Sequence, residues 1–109
     1  MRKVLAFDIG GTKIAYALID EDGNFVSEVT KVATPDTSQK IYDLLKKTIS
    51  ESEADIVGTA IATAGAIDKD GKKITSHVGN LPAGYNGLDF MSLSKKPVFL
   101  ENDANSAGW

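Results

Sequence analysis

The sequence has no cysteine. A disulfide framework and a cysteine-ligated zinc site are therefore excluded within it, and a reducing compartment suits such a chain. Histidine occurs once, at His77, and has no evident partner for metal binding or general-base work, so it reads as a turn residue. Long apolar runs are also missing. Val4-Leu5-Ala6-Phe7, after Arg2 and Lys3, stops at Asp8, too soon for a signal-peptide core. The stretch from Val57 to Ala66 is broken by Gly and Thr and falls far short of a membrane span. Basic charge is not concentrated: the pairs Lys46-Lys47, Lys72-Lys73 and Lys95-Lys96 read as solvated faces, and the net charge is −3. A nucleic-acid binder gathers basic charge on one surface. These absences point to a soluble cytoplasmic protein with no nucleic-acid and no membrane partner.

What remains is ordinary globular material: 109 residues, 42% hydrophobic and 25% charged, enough for one domain. A domain of this size buries only ~60–70% of its unfolded surface, so loss of a packing partner would be felt. Lys3 to Ile9 and Lys13 to Ile19 read as two strands. Only Gly10-Gly11-Thr12 separates them, which predicts a hairpin. Asp20 to Asn24 forms the next turn, where Asp22-Gly23 accepts positive φ, and Phe25 to Ala33 reads as a third strand. Thr34-Pro35-Asp36-Thr37 predicts a helix start, with a hydroxyl cap, a first-turn proline and an acid at the positive end. Ile41, Leu44, Leu45 and Ile49 then give one apolar helical face through about Ser52.

Ile56 to Thr63 returns as a β-branched strand, and the strand–helix–strand order implies a parallel pairing. Asp68 to Lys73 reads as a polar turn, Asn80 to Gly87 as a loop, and Leu88 to Leu93 as one or two helical turns. Pro97 to Glu101 is a final strand, and Asn102 to Trp109 a loop turning into a helix. The sequence stops at Trp109 without a capping glycine, which predicts a piece of a longer protein.

Two segments carry chemistry. In Asp8-Ile9-Gly10-Gly11-Thr12-Lys13, glycines let backbone N–H groups approach an anion, Thr12 adds a hydroxyl and Lys13 a positive charge. Asp8 at the end of a buried strand is costly unless a cation or donors lie nearby, and it could hold a hydrated Mg²⁺ against the same phosphates. Neither a Walker loop nor a dinucleotide fingerprint fits, because both need a following helix. At the far end, Glu101-Asn102-Asp103-Ala104-Asn105 follows a strand, where α/β sheets collect ligands. Asp103 there could accept a proton from an attacking hydroxyl, and Asn102 could pair with a sugar hydroxyl; equally, both could cap the last helix. Between them, Thr63-Ala64-Gly65-Ala66-Ile67-Asp68 leaves room for a ligand to touch backbone or for close sheet–helix packing. Asn80-Leu81-Pro82 presents an amide or simply turns.

Taken in order, these segments resemble the ROK family of sugar kinases, within the actin/hexokinase/Hsp70 superfamily. Asp8 to Lys13 matches its first phosphate motif, Ala64-Gly65-Ala66-Ile67-Asp68 its Pro-Gly-x-Val-Asp segment, and Asn80-Leu81-Pro82 its Asn-Leu-Pro segment. Pro97 to Asn105 matches its Pro-Val-x-x-Glu-Asn-Asp-Ala-Asn stretch. The resemblance implies an RNase H-like α/β lobe: a mixed sheet with an antiparallel three-stranded meander followed by parallel crossover strands. It implies ATP and Mg²⁺ as cofactors and a sugar as substrate, with Asp103 as catalytic base and Gly65, Asn80 and Asn102 lining the sugar pocket. Gly10, Gly11, Thr12 and Lys13 would face the ATP phosphates, with Asp8 near Mg²⁺.

Ala64 stands where many members have proline, a variant resembling the β-glucoside and aminosugar kinase branches. The family's second half, with its other phosphate motif and in many members a Cys/His structural zinc site, has no counterpart here. The 109 residues alone are expected to phosphorylate nothing at a useful rate, and the intact protein is expected to be a homodimer. Alternatives are a sugar-responsive ROK regulator, another actin-superfamily ATPase, or a non-catalytic sugar-binding module. The regulators carry a helix-turn-helix before the Asp-x-Gly-Gly-Thr motif, and only seven residues precede Asp8.

Overall fold

A computed structural model of the chain describes residues 3–63, 74, 81–82 and 84–102, with the backbone alone at Asn86 and Asn102. Five strands form one sheet: β1 (Lys3–Ile9), β2 (Lys13–Asp20), β3 (Thr30–Ala33), β4 (Gly58–Thr63) and β5 (Val98–Asn102). Their order across the sheet is β3-β2-β1-β4-β5. β1 pairs antiparallel with β2, and β2 with β3; β1 pairs parallel with β4, and β4 with β5. The meander followed by parallel crossovers is the mixed sheet expected from the sequence.

Side chains alternate across the pleat, and the two faces differ. Leu5, Phe7 and Ile9 of β1 are buried and share one core with Ile41, Leu45 and Ile49 of helix α1 (Ser38–Ser52). Opposite residues in a ladder share a face, so Ile14 of β2, Ile61 of β4 and Val98 and Leu100 of β5 complete that core. Tyr16 packs against Phe7 with ring centroids 5.6 Å apart. The other face carries Ala6, Asp8, Ala15, Ala60 and Phe99, and Phe99 is 60% exposed.

The third strand and the helix start differ from the sequence reading. β3 spans only its last four residues. Upstream, Phe25 bridges Ile19, Val26 donates its N–H to the Leu18 carbonyl, and the Ser27 hydroxyl accepts the Leu18 N–H at 2.9 Å. A side chain thus takes the place of a ladder partner. Residues 26–29 oppose only Ala17 and Leu18 between the two pairings, which makes a bulge.

Helix α1 starts later than Thr34 because Thr37 is its cap, the Thr37 hydroxyl accepting the Lys40 N–H at 3.2 Å. Thr34 is engaged elsewhere, as described below. The other end of α1 runs into a 3-10 turn, Glu53–Asp55. There Lys96 donates its ammonium to the carbonyls of Glu53 and Ile56, acceptors that the end of a helical segment leaves without partners.

Leu88 to Leu93 contributes the 3-10 turn Phe90–Leu93, preceded by another at Tyr85–Gly87. Tyr85 is a core residue, 1% exposed, set edge-on to Phe90. No helix among the described residues is long and apolar enough to cross a membrane.

Candidate functional site

The carboxyl ends of the three parallel strands lie in one row. Ile9 of β1 is in register with Thr63 of β4, and Thr63 with Asn102 of β5. The glycine turn begins one residue after Ile9, the Ala64–Asp68 segment follows Thr63 in sequence, and Asp103 follows Asn102. The ends of parallel strands at one sheet edge are where α/β folds gather ligand groups. Gly65, Asn80 and Asp103 themselves lie outside the described residues, as does the side chain of Asn102.

The turn is built tightly. The Gly10 N–H donates to the Lys13 carbonyl at 3.0 Å and closes the hairpin. A Cβ on Gly10 would sit 3.1 Å from that same carbonyl oxygen, a tight contact that a larger residue would relieve only by shifting the turn by a few tenths of an ångström. Gly10 therefore contributes space, and its N–H is spent inside the turn. The N–H groups of Gly11 and Thr12 donate to nothing among the described residues, and both residues are exposed. Among the described residues they are the turn's backbone donors without an acceptor.

Thr34 braces this turn from β3's end. Its N–H donates to the Thr12 carbonyl at 2.9 Å, and its hydroxyl donates to the Gly10 carbonyl at 2.7 Å.

Beside the turn lies a depression of about 200 Å³ lined by Asp8, Gly10, Lys13, Ala15 and Lys31. One row of the sheet forms its floor: Lys31, Ala15 and Asp8 are successive partners across β3, β2 and β1, continuing to Ala62 and Glu101. Two alanines in that row keep the floor low. Asp8 is exposed, so the sequence argument that its burial demands a partner does not hold; it sits on the sheet face away from the α1 core. The ionised groups lining the depression are two ammonium groups and one carboxylate.

Lys31 was missed in the sequence. Strand alternation places it on the Asp8 face only once β3 is in register with β2, and the bulge hides that register.

The ROK family model matches residues 4–109. The chain belongs to the ROK family. It is 33% identical over 113 residues to the glucokinase of Streptomyces coelicolor, covering 100% of this chain and 35% of that protein. It is 36% identical over 114 residues to an N-acetylmannosamine kinase of Escherichia coli O1:K1, covering 96% of this chain and 37% of that one. The chain thus spans little more than a third of these relatives' length. Among solved structures, a ROK family glucokinase from Streptomyces griseus in complex with glucose and AMPPNP superposes with a TM-score of 0.80 at 32% identity. That match covers 98% of this chain and 35% of the other. A ROK family transcriptional regulator shares the fold at a TM-score of 0.73 and 15% identity, over 93% of this chain and 28% of that one.

Proposed function

We propose that this chain is the N-terminal lobe of an ATP-dependent sugar kinase, which transfers the γ-phosphate of ATP to a hydroxyl of a hexose or N-acetylhexosamine. The observation that carries the reading is the shared row Ile9–Thr63–Asn102, at which the strand before the glycine turn and the strand before Asp103 in sequence end at the same sheet edge. A donor-rich turn and a carboxylate-bearing segment at one edge are the two halves that phosphoryl transfer to an alcohol needs. The kinase names of the relatives over 30% identical support the same reading.

In this reading Gly11 and Thr12 offer N–H groups, and Thr12 its hydroxyl, to the nucleotide phosphates, while Lys13 and Lys31 neutralise part of their charge. Mg²⁺ takes hard oxygen ligands, keeps several waters and is shared with substrate phosphates. One exposed carboxylate beside the turn fits that requirement, so Asp8 would hold the ion through its water shell. When bound, Mg²⁺ withdraws charge from the phosphate oxygens. Asn102 holds sugar hydroxyls together with Gly65 and Asn80. Asp103 takes the proton of the attacking hydroxyl as its oxygen bonds to the γ-phosphorus and the bond from phosphorus to the bridging oxygen breaks, releasing ADP. Closure of a second lobe over this edge would exclude water and complete the grip on ATP.

The test is a panel of glucose, N-acetylmannosamine and β-glucosides with the full-length protein, following ADP release. Turnover with one class well above the others is expected. Absence of sugar-dependent ADP release with every member would overturn the reading.

A further inference from the structure

We infer that Thr34 is a positioning residue that aims the phosphate turn. The inference rests on the reading of that turn as the nucleotide's phosphate grip. Gly10 and Gly11 are adjacent glycines, and a peptide unit between two glycines can rotate through either sign of φ at little cost. The unit joining them holds the Gly10 carbonyl and the Gly11 N–H on opposite sides, because the peptide is planar and trans. Which of the two an anion meets therefore depends on what fixes that unit.

Thr34 fixes it. Its hydroxyl holds the Gly10 carbonyl at 2.7 Å, which turns the carbonyl toward β3 and points the Gly11 N–H the other way. The same residue's N–H holds the Thr12 carbonyl at 2.9 Å, so the turn is tied at both of its ends to one residue. Both carbonyl oxygens, which would repel a phosphate, are thereby occupied. Thr34 is half-buried and stands at the junction between β3 and the segment leading to α1, where its side chain does not cap the helix. Without the hydroxyl, rotation of the Gly10–Gly11 unit exposes a carbonyl where the donor stood.

The experiment compares full-length wild type with Thr34→Val and Thr34→Ser. Valine keeps the shape and the backbone bond but lacks the hydroxyl; serine restores it. Each protein is tested for ADP binding by calorimetry, and for KM with ATP, KM with the sugar, and kcat. For Thr34→Val we expect ADP binding weaker by about fivefold to tenfold, the scale of one hydrogen bond. The KM for ATP should rise in parallel while the KM for sugar stays within about twofold, a change too small to represent a lost hydrogen bond. Thr34→Ser should recover most of the loss. A merely structural role would lower the melting temperature without separating the two KM values.

If wild type binds ADP and Thr34→Val binds it equally well, the positioning role is overturned while the kinase reading stands. Equal rises in both KM values, or a serine variant as weak as valine, overturn it as well. If wild type binds no ADP, the kinase reading and the inference fall together.

Discussion

The phenol oxygen of Tyr85 and the hydroxyl oxygen of Thr63 lie 2.5 Å apart inside the core. Both residues are buried, Tyr85 at 1% and Thr63 at 0% exposure. Thr63 is the last residue of β4, so this bond secures the strand end from which the Ala64–Asp68 segment departs. Tyr85→Phe and Thr63→Val are each expected to cost about 1–3 kcal/mol, because each takes this bond from a buried partner hydroxyl. The double variant should lose clearly less than the sum, because both singles remove the same bond. Urea unfolding of the full-length protein checks this. Strictly additive losses would show that the two hydroxyls do not act together.

Thr59 presents the opposite case. It is fully buried, and its hydroxyl has no hydrogen-bond partner among the described residues. The buried hydroxyl of Thr48, by contrast, donates to the Leu44 carbonyl at 2.8 Å. An unpaired buried hydroxyl costs about 1–3 kcal/mol of desolvation. Thr59→Val keeps the shape and removes that cost, so it should raise the melting temperature by a few degrees. Thr48→Val should not. A lower melting temperature for Thr59→Val would contradict this description of the site.

Lys13 and Lys31 flank the depression beside the turn and are both exposed. Exposed charges act weakly and are screened by salt. Lys13→Ala and Lys31→Ala should each weaken ADP binding by about twofold to fivefold at low ionic strength, with the difference shrinking as salt is added. Lys46→Ala, on α1 beside Tyr42, should leave ADP binding unchanged. If Lys31→Ala behaves like Lys46→Ala, Lys31 is not part of the phosphate site.

Much of this molecule was legible in the sequence because short-range rules fix it. Only three residues separate β1 from β2, so the hairpin could be read directly. Ile41, Leu45 and Ile49 stand at helical spacing and are all buried in α1. The order of elements implied a parallel pairing for β4, although its partner is β1 in the sheet interior and not β3, the strand that precedes the helix.

The features that escaped depend on partners distant in sequence. Thr34 looked like a helix cap because Pro35 and Asp36 follow it; its actual acceptor, the Gly10 carbonyl, is 24 residues earlier. β3 looked longer because Phe25, Val26 and Val29 favour strands, and only the capture of the Leu18 N–H by Ser27 breaks the ladder. Asp8 looked buried because its neighbours are apolar, yet it lies on the face that α1 does not cover. Lys31 joins the site only through the register that this bulge sets.

The proposal assigns proton removal for phosphoryl transfer to Asp103, which follows β5 in sequence. It is tested most directly by comparing full-length wild type with Asp103→Asn, measuring sugar-dependent ADP release together with ADP and sugar binding. Asp103→Asn is expected to lower kcat by about 10²–10⁴-fold, the range for a positioned general base, while ADP binding is retained. Near-full turnover by Asp103→Asn would contradict it.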